Sequence, residues 1–224
     1  AILPSGEVTE VSLKRSIELA NAVIFSRSAQ DEDLSGMGTT VVALAFVGSR
    51  AIVAHVGDSR IYRLKEGRIE QLTRDHTLVQ ELVETGAIPA EDAANHPIAH
   101  MLTRSLGPTD AVDVEIRELD ADVQPGEKFL LCSDGLYNLV SDEEIAEILG
   151  EQDLGRVVNE LVSLALNRGG TDNVTIEVLE LCPLDDDSLE VSYPSGVNVE
   201  RQLSGEIALT ELEEAIEKVV RREE

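Results

Sequence analysis

Ala51-Ile52-Val53-Ala54-His55-Val56-Gly57-Asp58-Ser59-Arg60-Ile61-Tyr62-Arg63-Leu64 reads as two strands joined by a polar corner. Ala51–Val56 and Ile61–Leu64 have the apolar, β-branched texture of buried strands. Gly57 lets the backbone turn sharply and leaves Asp58 at a strand end. Taken alone, this is an ordinary Asp turn or a bulge in a hairpin. Two other stretches share the design. Ser133-Asp134-Gly135 follows the apolar run Lys128–Cys132 and precedes a helix. Gly169-Gly170-Thr171-Asp172-Asn173 links a helix to the last strand, Val174–Leu181. Hard cations such as Mg²⁺ or Mn²⁺ take oxygen ligands. Carboxylates on neighbouring strand ends meet that demand, because a sheet fixes their separation. Asp58, Asp134 and Asp172 are therefore candidate ligands, with the simple turn reading open beside each.

The flanking chain alternates in texture. Val11–Ala29 carries apolar residues at helical spacing, and Asp31-Glu32-Asp33 ends it. Thr39–Val47 is a nearly continuous apolar run, expected as a strand buried on both faces. Gly48-Ser49-Arg50 is a turn, and Lys65-Glu66-Gly67-Arg68 turns a hairpin into Ile69–Leu72. Thr77–Thr85 reads as a helix capped by Gly86, and Pro89–Ala94 as a second short one. The stretch from about Asp75 to His100 interrupts a β-rich region, as flaps beside a site do. Val112–Leu119 alternates like a strand with one exposed face, and Pro125-Gly126 turns into Lys128–Cys132. Ser141-x-x-Glu144 is a capping box opening the helix Asp142–Leu149, and Leu154–Leu166 is amphipathic. Beyond Leu181 comes the acidic break Pro183-Leu184-Asp185-Asp186-Asp187. A loose segment runs to about Gly205, followed by a helix with a second capping box at Thr210 and Glu213. The expected organisation is a domain over 1–181 and an acidic linker with a helical tail over 182–224, packing back on the domain or meeting a partner.

The composition is globular: 42% of residues are hydrophobic, and Val, Ile, Leu and Ala must build the core because Trp is absent. Against 18 Lys and Arg stand 44 Asp and Glu, a net charge of −26. Such a surface repels nucleic acid and anionic membranes, and phosphorylated substrates too unless a cation intervenes. Solubility, or a halophilic or thermophilic habit, is the plainer reading of the acidity; the sharper one is that part of the carboxylate excess holds metal. Cys132 and Cys182 make no disulfide framework, which suits a reducing compartment. No stretch reaches the roughly 18 apolar residues of a membrane span, and the first residues lack signal-peptide character. A cytoplasmic location is expected.

Six runs, in order, resemble the bacterial metal-dependent type-2C Ser/Thr protein phosphatases. They are Gly36-Met37-Gly38-Thr39-Thr40, Ala54–Tyr62, Leu72-Thr73-Arg74-Asp75-His76, Leu102–Gly107, Leu131–Leu136 and Gly170–Thr175. The resemblance implies an α+β fold: a four-layer α-β-β-α sandwich of two antiparallel sheets flanked by helices, with the N-terminal strands missing. It implies Mn²⁺ or Mg²⁺, two to three ions in a complete site. Asp134 and Asp172 match carboxylates of the two-metal core, and Asp58 with Asp134 matches ligands of a third ion. Gly135, Asn173 and Ser133 would support them. His76, His96 and His100 lie on the flap, where they could face substrate. The implied chemistry is hydrolysis of phosphoserine or phosphothreonine by a metal-bridged water, so no side chain is identified as the nucleophile. Ser59, Ser133 and Cys132 are then structural. Phosphorylated proteins, and a cognate Ser/Thr kinase with its substrates, are the expected partners.

The family's early Asp-Gly-x-Gly-Gly motif, which supplies the bridging carboxylate, does not occur in residues 1–35. Either the bridging Asp lies upstream of Ala1, or the protein lacks it. The second case makes the chain a catalytically impaired, phosphatase-like binding module. A phosphatase acting on an anti-sigma-factor antagonist is a further alternative, against which the flap argues.

Overall fold

The computed structural model describes residues 8–93, 96–170 and 172–183. The chain divides into two compact units, Ala1–Cys182 and Pro183–Glu224. Apart from Pro183, the second unit, with the expected tail helix, lies outside the described residues.

The first helix, α1 (Glu10–Gln30), starts where Thr9 accepts from the Ser12 amide and Ser12 returns the bond to the Thr9 amide. Strands β1 (Val41–Val47) and β2 (Arg50–Val56) form a hairpin, and β5 (Glu115–Glu118) pairs with the other edge of β2. Strands β3 (Arg60–Lys65) and β4 (Arg68–Gln71) form a second hairpin. Its loop residues Glu66 and Gly67 both have positive φ, 50° and 74°, the turn whose twist matches paired strands. With β6 (Lys128–Cys132) and β7 (Ile176–Glu180) they make an antiparallel sheet in the order β4-β3-β6-β7.

Strand alternation sorts the side chains into layers. Ile52, Ala54 and Val56 pack with Leu13 and Ile17 of α1. Their neighbours Ala51 and Val53 face the other way, onto Ile61 and Phe129 of the second sheet. Tyr62, Leu64, Leu130 and Cys132 point outward onto α4 (Asp142–Leu149) and α5 (Leu154–Asn167), through Ile145, Leu149, Val157 and Leu161. The result is helix, sheet, sheet, helix, as the resemblance implies.

One expectation is corrected. β1 is half-buried along its whole length, not buried on both faces. It is the edge of its sheet among the described residues, with β2 as its one paired neighbour, so its side chains stay partly open.

Arg63 breaks the apolar pattern of β3 yet is buried, its side chain 8% exposed. Its guanidinium donates to both carboxylate oxygens of Glu127 at 2.9 Å, and Lys65 pairs with the same carboxylate at 2.9 Å. Glu127→Ala would strand the Arg63 charge without its partner. A loss of about 3–5 kcal/mol in unfolding free energy is expected from denaturant titration, and a change under about 1 kcal/mol would contradict the account.

Candidate metal centre

The strand registers place the acidic corners together. Arg60 pairs with Cys132, and Cys132 pairs with Ile176. The start of β3, the end of β6 and the start of β7 are thus aligned at one end of the second sheet. Asp58 stands two residues before Arg60, Asp134 two after Cys132, and Asp172 four before Ile176. Gly57-Asp58-Ser59 is not a hairpin bulge: it carries the chain from the first sheet to the second.

The corner is held closely. Gly57 has φ 109°, and a Cβ there would lie 2.3 Å from Thr40 Cγ2. Thr40 and Ser59 share a hydroxyl hydrogen bond of 2.8 Å. The Tyr137 hydroxyl donates to the Asp58 carbonyl at 2.9 Å, and burial, then the Asp58 charge, keeps that phenol protonated. Arg60 lies over the Tyr137 ring, 3.6 Å from its centre, and donates to Asp75 through Nε and Nη2.

The Asp134 corner is tied to the Asp172 loop. Ser133 Oγ donates to the Asn173 carbonyl and accepts from the Thr175 amide, each at 3.0 Å. A Cβ on Gly135 would lie 2.5 Å from the Asn173 carbonyl oxygen, so only glycine allows the two loops to meet. Asp134 opens α3 (Asp134–Tyr137) and accepts from Asn138 at 3.4 Å. Cys132 is buried, and burial pushes its thiol up to about 12, which leaves no thiolate for nucleophilic chemistry.

Asp58 is 9% exposed. Burial raises its pKa, and the nearby Asp134 charge raises it further. None of Asp58, Asp134 and Asp172 pairs with Arg or Lys among the described residues. Carboxylates set at one end of the sheet, with no cationic partner among the described residues, are a donor set that fits a hard cation. Three carboxylates do not close a coordination sphere, and their ligand oxygens do not gather within 4.8 Å of one another.

The segment read from sequence as a flap leaves and rejoins the body at one place. Thr77 pairs with Leu102, and the Leu78 amide donates to the Met101 carbonyl. Thr77 caps α2 (Leu78–Glu84), and the expected second helix is a single 3₁₀ turn at Ala90–Asp92. His100 is exposed and lies near enough to Asp58 that a proton on it would favour the Asp58 carboxylate. His96 is half-buried, with Nδ1 at 3.5 Å from the Ile98 amide. His76, one of the three histidines that could face substrate on the sequence reading, is 2% exposed. Its Nδ1 accepts from the Gly57 amide and its Nε2 lies 3.1 Å from Glu115 Oε2, so neither ring nitrogen is left for substrate.

His55 and Glu115 escaped the sequence reading. Their one signal was His55 itself, a polar residue inside an apolar strand. The His55 and His76 rings stack 4.6 Å apart, and burial lowers the pKa of both. The folded state therefore holds them neutral, whereas the unfolded chain takes up protons near 6.5. Stability is full above that value and falls as pH drops below it, by up to about 1.4 kcal/mol per pH unit for each histidine. Urea midpoints at about pH 7.5 and about pH 5.5 check this, and equal midpoints would contradict it.

A helix–sheet–sheet–helix sandwich with acidic corners at one end is the architecture the type-2C resemblance implies. The protein phosphatase 2C family pattern matches residues 5–170. The serine/threonine protein phosphatase PstP of Mycobacterium tuberculosis is 38% identical over 182 residues, which cover 81% of this chain and 35% of that protein. The serine/threonine phosphatase stp of Listeria monocytogenes is 40% identical over 181 residues, 80% of this chain and 71% of that one. The crystal structure of M. tuberculosis PstP/Ppp superposes with a TM-score of 0.75 at 37% identity, over 81% of this chain and 76% of that one. The PstP catalytic domain solved with two manganese ions gives 0.70 at 36% identity, over 80% of this chain and 74% of that one. The chain belongs to the protein phosphatase 2C family. It spans about a third of the length of the mycobacterial relative.

Proposed function

We propose that the protein is a metal-dependent phosphatase of phosphoserine and phosphothreonine in other proteins. The observation that carries this reading is the set of carboxylates Asp58, Asp134 and Asp172 at one end of the sandwich, with no cationic partner among the described residues. These residues would hold Mn²⁺ or Mg²⁺. Such a cation, when bound, draws charge off the phosphoryl oxygens and acidifies water in the site. It also answers the charge problem, since a chain of net −26 needs local positive charge to receive a phosphate.

The chain's own residues orient and support. Ser133, Gly135 and Asn173 hold the Asp134 and Asp172 loops against each other. Tyr137 and Thr40 hold the Asp58 corner through its backbone and Ser59. His100, exposed beside Asp58 on the flap, is the flap histidine best placed to meet a phosphorylated substrate. The partners in this reading are phosphorylated proteins, including those of a cognate Ser/Thr kinase. Among the described residues no helix is long and apolar enough to cross a membrane. Both cysteines are free, which suits work in the cytoplasm.

Release of phosphate by the full-length protein from phosphothreonine, phosphoserine and phosphotyrosine peptides tests the substrate class. The reading expects turnover of the first two. Turnover confined to phosphotyrosine, or to none of the three, would overturn it.

A further inference from the structure

We infer that His76 is a positioning residue for Asp58, kept in one tautomer by Glu115. The inference rests on the metal reading of Asp58. Gly57, the residue before Asp58, gives both its backbone polar groups to His76. Its amide donates to His76 Nδ1 at 3.1 Å, and its carbonyl accepts from the His76 amide at 3.0 Å. With φ 109°, Gly57 has no side chain to fix its own place, so these bonds set where Asp58 begins.

An imidazole nitrogen accepts only when it carries no proton, so the bond from Gly57 requires a bare Nδ1. The other nitrogen must then hold the proton. Nε2 lies 3.1 Å from Glu115 Oε2, and an ionised carboxylate can only accept, so Nε2–H donates to it. The carboxylate thereby selects the tautomer that grips Gly57, as outer carboxylates do for histidines in metal sites. His55 stacks on the ring with an interplanar angle of 22°, and its own Nε2 is 2.7 Å from the Arg74 carbonyl. The His76 carbonyl accepts from the Thr103 amide at 2.8 Å, which joins the corner to the base of the flap.

The ligand atoms of His55, His76 and Glu115 lie within 4.8 Å of one another, but the cluster is unsuited to a cation of its own. Arg104 Nη1 is 3.4 Å from His76 Nε2, and Arg74 Nη1 is 4.0 Å from Glu115. Two guanidinium groups already supply the positive charge there.

Calorimetric Mn²⁺ titration of the full chain tests the inference, comparing wild type with Asp58→Asn, His76→Asn and His76→Leu. In His76→Asn the side-chain carbonyl oxygen can take the place of Nδ1, so affinity should stay within about threefold of wild type, whereas His76→Leu should lose about 10–100-fold. Both variants lose the histidine stack and the Glu115 bond, so a merely structural role would weaken them alike. Equal affinities in the two variants would overturn the inference. A wild-type chain that binds no Mn²⁺ would overturn the metal reading and the inference with it. Nitrogen NMR of His76 reads the tautomer without metal: a proton on Nε2 and none on Nδ1 is expected, and the opposite would overturn the inference.

Discussion

Asp134→Asn in the full-length protein is expected to lower Mn²⁺-supported phosphate release from phosphothreonine peptides by more than about a hundredfold. Cation stabilisation of developing phosphoryl charge is worth several kcal/mol, and each 1.4 kcal/mol is about tenfold in rate. The fold should persist. Asn has the shape of Asp, and its amide oxygen can still accept from Asn138. Loss of charge at the first turn of α3 costs only about 0.3–1 kcal/mol. Removing the Asp134 charge also relieves the repulsion that adds to burial in raising the Asp58 pKa. The measurement is turnover with a melting curve beside it. Activity within about threefold of wild type in a folded variant would remove Asp134 from the site.

Gly57→Ala is expected to damage stability and metal binding together. A Cβ there meets Thr40 Cγ2 at 2.3 Å and Thr40 Cβ at 2.6 Å, at a φ of 109° that side chains rarely adopt. Backbone strain of about 1–3 kcal/mol adds to overpacking of about the same size. A fall of roughly 2–4 °C in Tm per kcal/mol follows for a chain of this length. Gly126→Ala is the control. Its φ is 88°, but nothing lies within 4 Å of the added Cβ, so only the strain acts. If the two variants melt together, the contact with Thr40 does not constrain the corner.

Local chemistry carried much of the fold into the sequence. Ser141 and Glu144 form their capping box, Thr77 caps α2, and Glu66-Gly67 closes its hairpin, because each depends on residues a few positions apart. Lys128–Cys132 falls where its apolar run placed it. Long-range register was not open to that reading. Nothing near Gly57 says that the chain leaves one sheet for another there. Nothing near Asp134 says that Cys132 sits between Arg60 and Ile176. The ordered motifs of a resembled family supplied that information instead. Thr39–Val47 was apolar enough for burial on both faces, but exposure depends on which strands flank it, and a strand does not encode its own edge.

The histidines make the same point. His76 follows Asp75 at the entry to a polar flap, which locally looks like a substrate-facing position. Its burial comes from His55, 21 residues earlier, and Glu115, 39 residues later. Asp75, adjacent to it, serves Arg60 and Gln71. The Asp-His pair thus braces the corner that carries Asp58.

The most direct test of the whole account is the metal dependence of phosphothreonine-peptide hydrolysis by the full-length protein. Turnover should vanish when divalent cations are removed with a chelator and return when Mn²⁺ is added back. A rate that chelation leaves unchanged would contradict the assignment of Asp58, Asp134 and Asp172 to a metal centre that handles phosphate esters.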